Sequence, residues 1–126
     1  MTTAGSRRRA VGLTAHLSGL SAEDQVIRRY VDCGCTVLAR RWRGAAGEID
    51  AILRDETGLI FVEVKRARTH AAAAERLSPR QTVRLLRAAE EFLGTQPQGL
   101  LTAMRLDLAL VDQRGRIEIC AIAVSG

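Results

Sequence analysis

Residues 47–66 read Gly-Glu-Ile-Asp-Ala-Ile-Leu-Arg-Asp-Glu-Thr-Gly-Leu-Ile-Phe-Val-Glu-Val-Lys-Arg. Two apolar runs flank Asp55-Glu56-Thr57-Gly58, a turn-type cluster that ends in glycine, and this pattern predicts a β-hairpin. With those four residues as the loop, Arg54 faces Leu59, Asp50 faces Glu63 and Glu48 faces Lys65. Opposed residues point to one face, and so do residues two apart in a strand. One face then carries Glu48, Asp50, Glu63 and Lys65. The other carries Ile49, Ala51, Leu53, Ile60, Val62 and Val64. A slip of one residue would reverse every assignment.

In this register two carboxylates sit about 5 Å apart. Like charges at that range repel and raise a pKa unless a cation neutralises them. Mg²⁺ typically takes one or two carboxylates together with water and phosphate oxygens. An ammonium on the same face can orient a water or stabilise phosphate charge. The plainer reading is a surface strand with Glu–Lys cross-strand pairs. Two features count against it. Leu59–Val64 is apolar except at Glu63, as in a central strand, where an unpaired charge is costly. Lys65 is also the only lysine in the chain, against eighteen arginines, so a compact ammonium is used where a planar fork was available.

Gly47-Glu48-Ile49-Asp50 followed by Phe61-Val62-Glu63-Val64-Lys65 resembles the YraN-like family of small bacterial proteins. That family is a branch of the PD-(D/E)XK, or restriction-endonuclease-like, nuclease superfamily, to which Holliday-junction resolvases also belong. The resemblance covers about residues 19–124. It implies that Asp50 and Glu63 are metal ligands for Mg²⁺ or Mn²⁺, with the Val64 carbonyl completing the coordination and Lys65 catalytic. It also implies an acid from the first helix, since the family pattern has an Ala-Glu pair where this chain has Ala22-Glu23. The expected function is a metal-dependent endonuclease acting on DNA phosphodiesters, including branched or repair intermediates. A non-catalytic nucleic-acid-binding module of the same fold is the alternative.

At 126 residues and 47% hydrophobic content, the chain suits one domain with one core. Residues 1–18 are small, polar and basic and are expected to be a disordered tail, with residues 19–126 as a single nuclease-like domain. No apolar run is long enough to span a bilayer, and no signal-peptide core follows Arg7-Arg8-Arg9, so a cytoplasmic location without a membrane partner is expected. Cys33, Cys35 and Cys120 lack zinc-knuckle spacing and read as reduced, partly buried thiols. His16 and His70 fall in expected loops. The net charge of +5 and pI near 10 suit a polyanionic partner. Aromatics make up only 3%, too few for base stacking to be a general strategy.

Along the chain, residues 21–33 predict a helix with Ser21 as N-cap, an apolar stripe of Val26, Ile27, Tyr30 and Val31, and Gly34 at C′. Glu23 leans onto that stripe, either as a first-turn acid favouring the helix dipole or as an acid delivered to the site. Residues 35–43 predict a strand. Its Arg40, Arg41 and Arg43 are either solvated or placed to contact phosphates, which would position a duplex without reading its sequence. Arg66 and Arg68 follow Lys65 in a loop or short helix. Residues 79–93 predict a second helix, capped by Ser78 with Pro79 at N1, with a core stripe of Leu86, Ala89 and Leu93 widened by Val83, Leu85 and Phe92. Arg80, Arg84 and Arg87 share another face of it, solvated or lining a DNA cleft. Gln81 stands where the family usually has a lysine, so a contact from that point is neutral. Strands are predicted over 104–111 and 117–124, with Arg105 and Asp107 as a structural pair.

The expected fold class is therefore α/β: a restriction-endonuclease-like αβββαβ core, with a mixed sheet flanked by helices and one extra C-terminal strand. The resemblance also admits a homodimer, as resolvases form.

Overall fold

A computed structural model of the chain describes residues 20–123. The expected tail, Arg7 to Arg9 and His16 lie outside the described residues. The order is α1 (Ala22–Asp32), β1 (Thr36–Arg43), β2 (Glu48–Asp55), β3 (Gly58–Arg66), α2 (His70–Ala74), α3 (Pro79–Leu93), a 3-10 turn (Gly99–Leu101), β4 (Met104–Val111) and β5 (Ile117–Ala121). The strands form one mixed sheet in the order β1-β2-β3-β4-β5. Only β3 and β4 run parallel, because α3 carries the chain back across the sheet between them. This is the expected α/β architecture, compatible with an αβββαβ core followed by one further strand.

The hairpin register is the one read from the sequence. Arg54 pairs with Leu59, Leu53 with Ile60 and Ala51 with Val62. The ladder extends one pair beyond expectation, to Asp55 and Gly58, which leaves Glu56-Thr57 as the turn. Asp55 closes it, its Oδ1 accepting from Thr57 N at 2.8 Å and from Gly58 N at 3.1 Å. Gly58 has φ +151, and a Cβ there would lie 2.4 Å from the Ala103 carbonyl oxygen, so only glycine lets this turn rest on the start of β4.

Each sheet face buries its own helix. Val26, Ile27 and Tyr30 of α1 cover Ala51, Leu53, Ile60, Val62, Ala109 and Val111. Leu85, Ala88, Ala89 and Leu93 of α3 cover Ile52, Leu59, Phe61 and Leu106. Ala73 of α2 packs with Leu108 and Leu110. Burying a Leu, Ile or Phe side chain is worth about 1.5–3 kcal/mol, so these two interfaces dominate the fold. Four expectations are corrected. Val31 and Val83 are exposed rather than part of their helix stripes, because each lies past the edge of the arc that its sheet face covers. Cys33, the C-cap residue of α1, is exposed rather than partly buried. Ile49 packs with Ile52 and Phe61 under α3 rather than with Ala51 and Leu53.

The last correction has a backbone cause. In β1–β2 the flanking pairs Arg40–Ala51 and Trp42–Ile49 bring Arg41 opposite Asp50. Arg41 has φ +49, a left-handed conformation that a side-chain-bearing residue seldom adopts. Opposite it, β2 also departs from strict alternation: Asp50 turns its carboxylate to the Val64 N–H, and Ile49 and Ile52, three apart, join the same core. Trp42 follows Ile49 there and meets Phe92 edge-on, with ring centroids 5.4 Å apart.

Both helices that frame the site are capped as their sequences predict. Ser21 Oγ accepts from Asp24 N at 3.0 Å, and Gly34 has φ +96 at C′. At α3, Gln81 N donates to Ser78 Oγ at 3.1 Å and Gln81 Oε1 accepts from Ser78 N at 3.0 Å, a reciprocal capping box. Asp107 is buried at 2% exposure on β4 and takes Tyr30 Oη at 2.6 Å and Arg105 Nε at 3.2 Å. The expected Arg105–Asp107 pair is therefore present, with Tyr30 as a third member that ties α1 to the sheet. Burial first, then the hydrogen bond to Asp107, pushes the Tyr30 hydroxyl well above its usual range.

Candidate active site

The last rung of the β2–β3 ladder joins Ala51 to Val62. Past it, the side chain of Asp50 takes over, with Oδ2 accepting the Val64 N–H at 2.7 Å. Oδ1 accepts no hydrogen bond from the described residues. A strand residue's N–H and C=O point to one side, so the Val64 carbonyl lies on the edge of β3 that Asp50 faces. On β3, Lys65 Nζ is 3.0 Å from Glu63 Oε2, with both side chains under 20% exposed. On α1, Glu23 Oε1 is held by Arg41 Nε at 3.0 Å.

The electrostatics bring these groups together. The Asp50 pKa is pushed up to about 7, mostly by burial, and further by the negative charges of Glu63 and Glu23. The Val64 N–H and the Lys65 ammonium oppose the shift but do not cancel it. Asp50, Glu63 and Lys65 therefore stand at the end of β2–β3 where the strands cease to pair, and the charge of Glu23 on α1 is felt at Asp50. Beside it, a cavity of about 130 Å³ is lined by Gly47, Glu48, Glu63, Gln81, Arg84 and Leu85. Glu48 was not among the residues singled out for chemistry. It stands at the mouth of this cavity with Arg43 Nη2 3.4 Å from its Oε2.

Among the described residues no three His, Cys, Asp or Glu side chains converge as a metal-ligand group. The donor set still fits a hard divalent cation that takes few protein ligands. Asp50 and Glu63 supply carboxylate oxygens, the Val64 carbonyl supplies a neutral one, and the charge crowding on Asp50 is of the kind a cation relieves.

The seven arginines expected to meet phosphates fall into two groups. Arg40 is bonded to Asp24, Arg41 to Glu23 and Arg43 to Glu48. These three hold acids of α1 and β2 in place. Arg66, Arg68, Arg80 and Arg84 are exposed and in no ion pair among the described residues. Arg84 also lines the cavity that Glu63 borders. Gln81 lines it too, its side chain already committed to the helix cap, a role that the spacing Ser78-x-x-Gln81 announces.

The chain matches the family described as "Uncharacterised protein family UPF0102" over residues 22–122. It is 56% identical over 108 residues to the UPF0102 protein of Cereibacter sphaeroides strain ATCC 17025, covering 86% of this chain and 92% of the relative. It is 52% identical over 108 residues to the UPF0102 protein of Ruegeria pomeroyi, covering 86% and 88%. The UPF0102 protein of Roseobacter denitrificans is 48% identical over 114 residues, covering 90% and 88%. This protein belongs to the UPF0102 family, the YraN-like family to which its two motifs pointed. No helix among the described residues is long and apolar enough to cross a membrane.

Proposed function

We propose that this protein is a nuclease that uses Mg²⁺ or Mn²⁺ to hydrolyse phosphodiester bonds of DNA, with branched or repair intermediates as candidate substrates. The observation that carries the reading is the meeting of Asp50 with the Glu63–Lys65 pair at the point where β2 and β3 part. Asp50, Glu63 and the Val64 carbonyl would hold the metal. When bound, it supplies a Lewis acid and a water of lowered pKa.

The chain's own residues do the rest. The Val64 N–H fixes the Asp50 carboxylate, so that Oδ1 is aimed without a reorganisation cost. Glu63 orients the Lys65 ammonium, whose three donors can hold the attacking water or a non-bridging phosphate oxygen. Arg66, Arg80 and Arg84 supply sequence-independent contacts to neighbouring phosphates. A net charge of +5 favours the encounter.

The test is cleavage of labelled linear, nicked, flapped and four-way-junction DNA with Mg²⁺ or Mn²⁺, run beside Glu63→Ala. Cleavage by the wild type alone is expected, and the preferred substrate names the class. A second reading, a nucleic-acid-binding module that does not cut, is favoured by one observation. Glu63 and Glu23 are each already held by a cation, Lys65 and Arg41. Salt-sensitive binding that is equal in both proteins, with no cleavage, would select it.

A further inference from the structure

A second cavity, of about 400 Å³, opens at the end of the sheet where β3 and β4 finish. It is lined by Arg68, Thr69, His70, Asp112, Gln113, Arg114 and Arg116. Three segments build it. The chain leaving β3 is bonded to β4 through Ala67 N and the Val111 carbonyl at 3.1 Å, and Gln113 N donates to the Arg68 carbonyl at 3.3 Å. The β4–β5 turn is wound around Asp112, whose Oδ1 accepts from Arg114 N and Arg116 N, both at 2.9 Å. His70 Nε2 donates to the Arg116 carbonyl at 2.8 Å, which ties α2 to that turn.

The charges are unevenly matched. Arg116 Nε lies 3.1 Å from Asp112 Oδ2, and His70 Nδ1 lies 3.2 Å from Glu118. Arg68 and Arg114 are exposed and in no ion pair among the described residues. The turn's own bonding accounts for Asp112 and Arg116. It does not account for two further guanidinium groups lining the same hollow. Guanidinium groups that no acid pairs, as Arg68 and Arg114 are among the described residues, match phosphate oxygens, which they bind in bidentate fashion.

Position makes the match specific. Arg68 lies just past the end of the strand that carries Glu63 and Lys65. We propose that Arg68, Arg114 and Arg116 form a phosphate pocket that grips the nucleic-acid backbone beyond the end of β3, to one side of the point facing Glu63 and Lys65. The proposal rests on the reading of that site as directed at nucleic acid. Arg68 was expected to touch phosphate. Arg114 and Arg116 were not, and they turn one contact into a pocket.

The test is the salt dependence of binding of the full chain to a labelled 20-base-pair duplex without divalent metal, followed by fluorescence anisotropy. Arg68→Ala/Arg114→Ala removes the two unpaired guanidinium groups and leaves Arg116 to hold the turn. Arg28→Ala/Arg29→Ala, exposed on α1, removes the same charge elsewhere. Each phosphate contact contributes about 0.9 to the slope of log K against log salt. The pocket variant should therefore lose about 2 from the magnitude of the slope and bind roughly tenfold more weakly at moderate salt. The α1 variant should keep the wild-type slope. Equal slopes in the wild type and the pocket variant would overturn the pocket while leaving the proposed function standing. Inorganic phosphate bound by the wild type and lost in the pocket variant, with the duplex slope unchanged, would assign the pocket to a free anion and also overturn it. No binding by the wild type to the duplex or to a four-way junction would overturn the function itself and the pocket with it.

Discussion

Asp50 accepts the Val64 backbone N–H at 2.7 Å, and through that bond a side chain stands in for a rung of the β2–β3 ladder. The strands can part without leaving the Val64 donor unpaired, and an unpaired buried donor would cost about 1–3 kcal/mol. The acid is thereby built into the sheet that it serves. It is also buried there, with Glu63 and Glu23 adding negative charge, which is why its protonation is tied to the folded state.

The first prediction is a pH dependence of stability. Asp50 titrates near pH 7 when folded, against an ordinary value of 3.8. A carboxyl raised by folding favours the folded state when protonated. Stability is therefore lost as pH rises from about 4 to about 7 and is level above that. Asp50→Asn removes the dependence and keeps an oxygen for Val64. Relative to the wild type, the variant should gain stability across this window, reaching roughly 1–3 kcal/mol at pH 8 once solvent screening is allowed for. Urea unfolding at several pH values measures the difference, and a difference flat in pH would refute it.

A divalent cation should replace the proton. At pH 8, Mg²⁺ or Mn²⁺ at ten times its dissociation constant should stabilise the wild type by about 1.4 kcal/mol, a rise of a few degrees in Tm. Asp50→Ala and Glu63→Ala should show no rise. NaCl at matched ionic strength serves as the control. Equal shifts in all three proteins would mean that the cation binds elsewhere.

Lys65 should be needed for cleavage and not for binding. Lys65→Ala is expected to lower kcat by about 10²–10³, the range seen when one transition-state donor is removed, with duplex affinity changed less than threefold. Lys65→Arg should recover little, since a planar fork cannot replace a compact ammonium beside Glu63. Full activity in Lys65→Arg would show that only a positive charge is required there.

The hairpin register was legible because a one-residue slip would part Ala51 and Leu53 from Ile60 and Val62, and the turn cluster of residues 55–58 selects among the registers that remain. The helix bounds were legible from Ser21, Ser78 and Pro79, since caps act locally. The register placed Asp50 opposite Glu63 and Glu48 opposite Lys65, but the ladder ends at Ala51–Val62: Asp50 takes the Val64 N–H, Lys65 pairs with Glu63 and Glu48 with Arg43. What stayed hidden depends on residues far apart in sequence or on backbone conformation. The bonds of Arg40 and Arg41 to Asp24 and Glu23 span 16 and 18 residues, and no local pattern announces them. The placement of Ile49 breaks strand alternation near the left-handed Arg41 of β1, a conformation that a position without glycine or asparagine gives no cause to expect. The basic pocket joins residues 68–70 to residues 112–116. Its Arg114 and Arg116 read simply as turn residues until the turn folds beside β3.

Tyr30 and Asp107 test how α1 is fastened. Asp107 is almost fully buried and takes the Tyr30 hydroxyl at 2.6 Å. Tyr30→Phe leaves a buried carboxylate with Arg105 as its remaining side-chain donor. A hydrogen bond to a charged group is worth about 1.5–3 kcal/mol, and the variant should lose an amount in that range by urea unfolding. Glu23 rides on the same helix, so the pKa of Asp50 followed by NMR should fall in Tyr30→Phe if α1 shifts away. A loss of stability below 0.5 kcal/mol would mean that water replaces the hydroxyl at no cost.

The kink at Arg41 can be tested by two substitutions that lose the same ion pair to Glu23. The pair is largely exposed on the arginine side, so its loss costs at most about 1 kcal/mol in either variant. Glycine adopts the left-handed conformation freely, whereas a β-branched residue resists it. Arg41→Gly should therefore lie within about 1 kcal/mol of the wild type, its relief of backbone strain offsetting the lost pair. Arg41→Val should be destabilised by about 2 kcal/mol or more. If valine were tolerated as well as glycine, Arg41 would not be left-handed in solution. With the kink in place, the same left-handed residue sits opposite Asp50 across β1–β2 and holds the Glu23 carboxylate of α1.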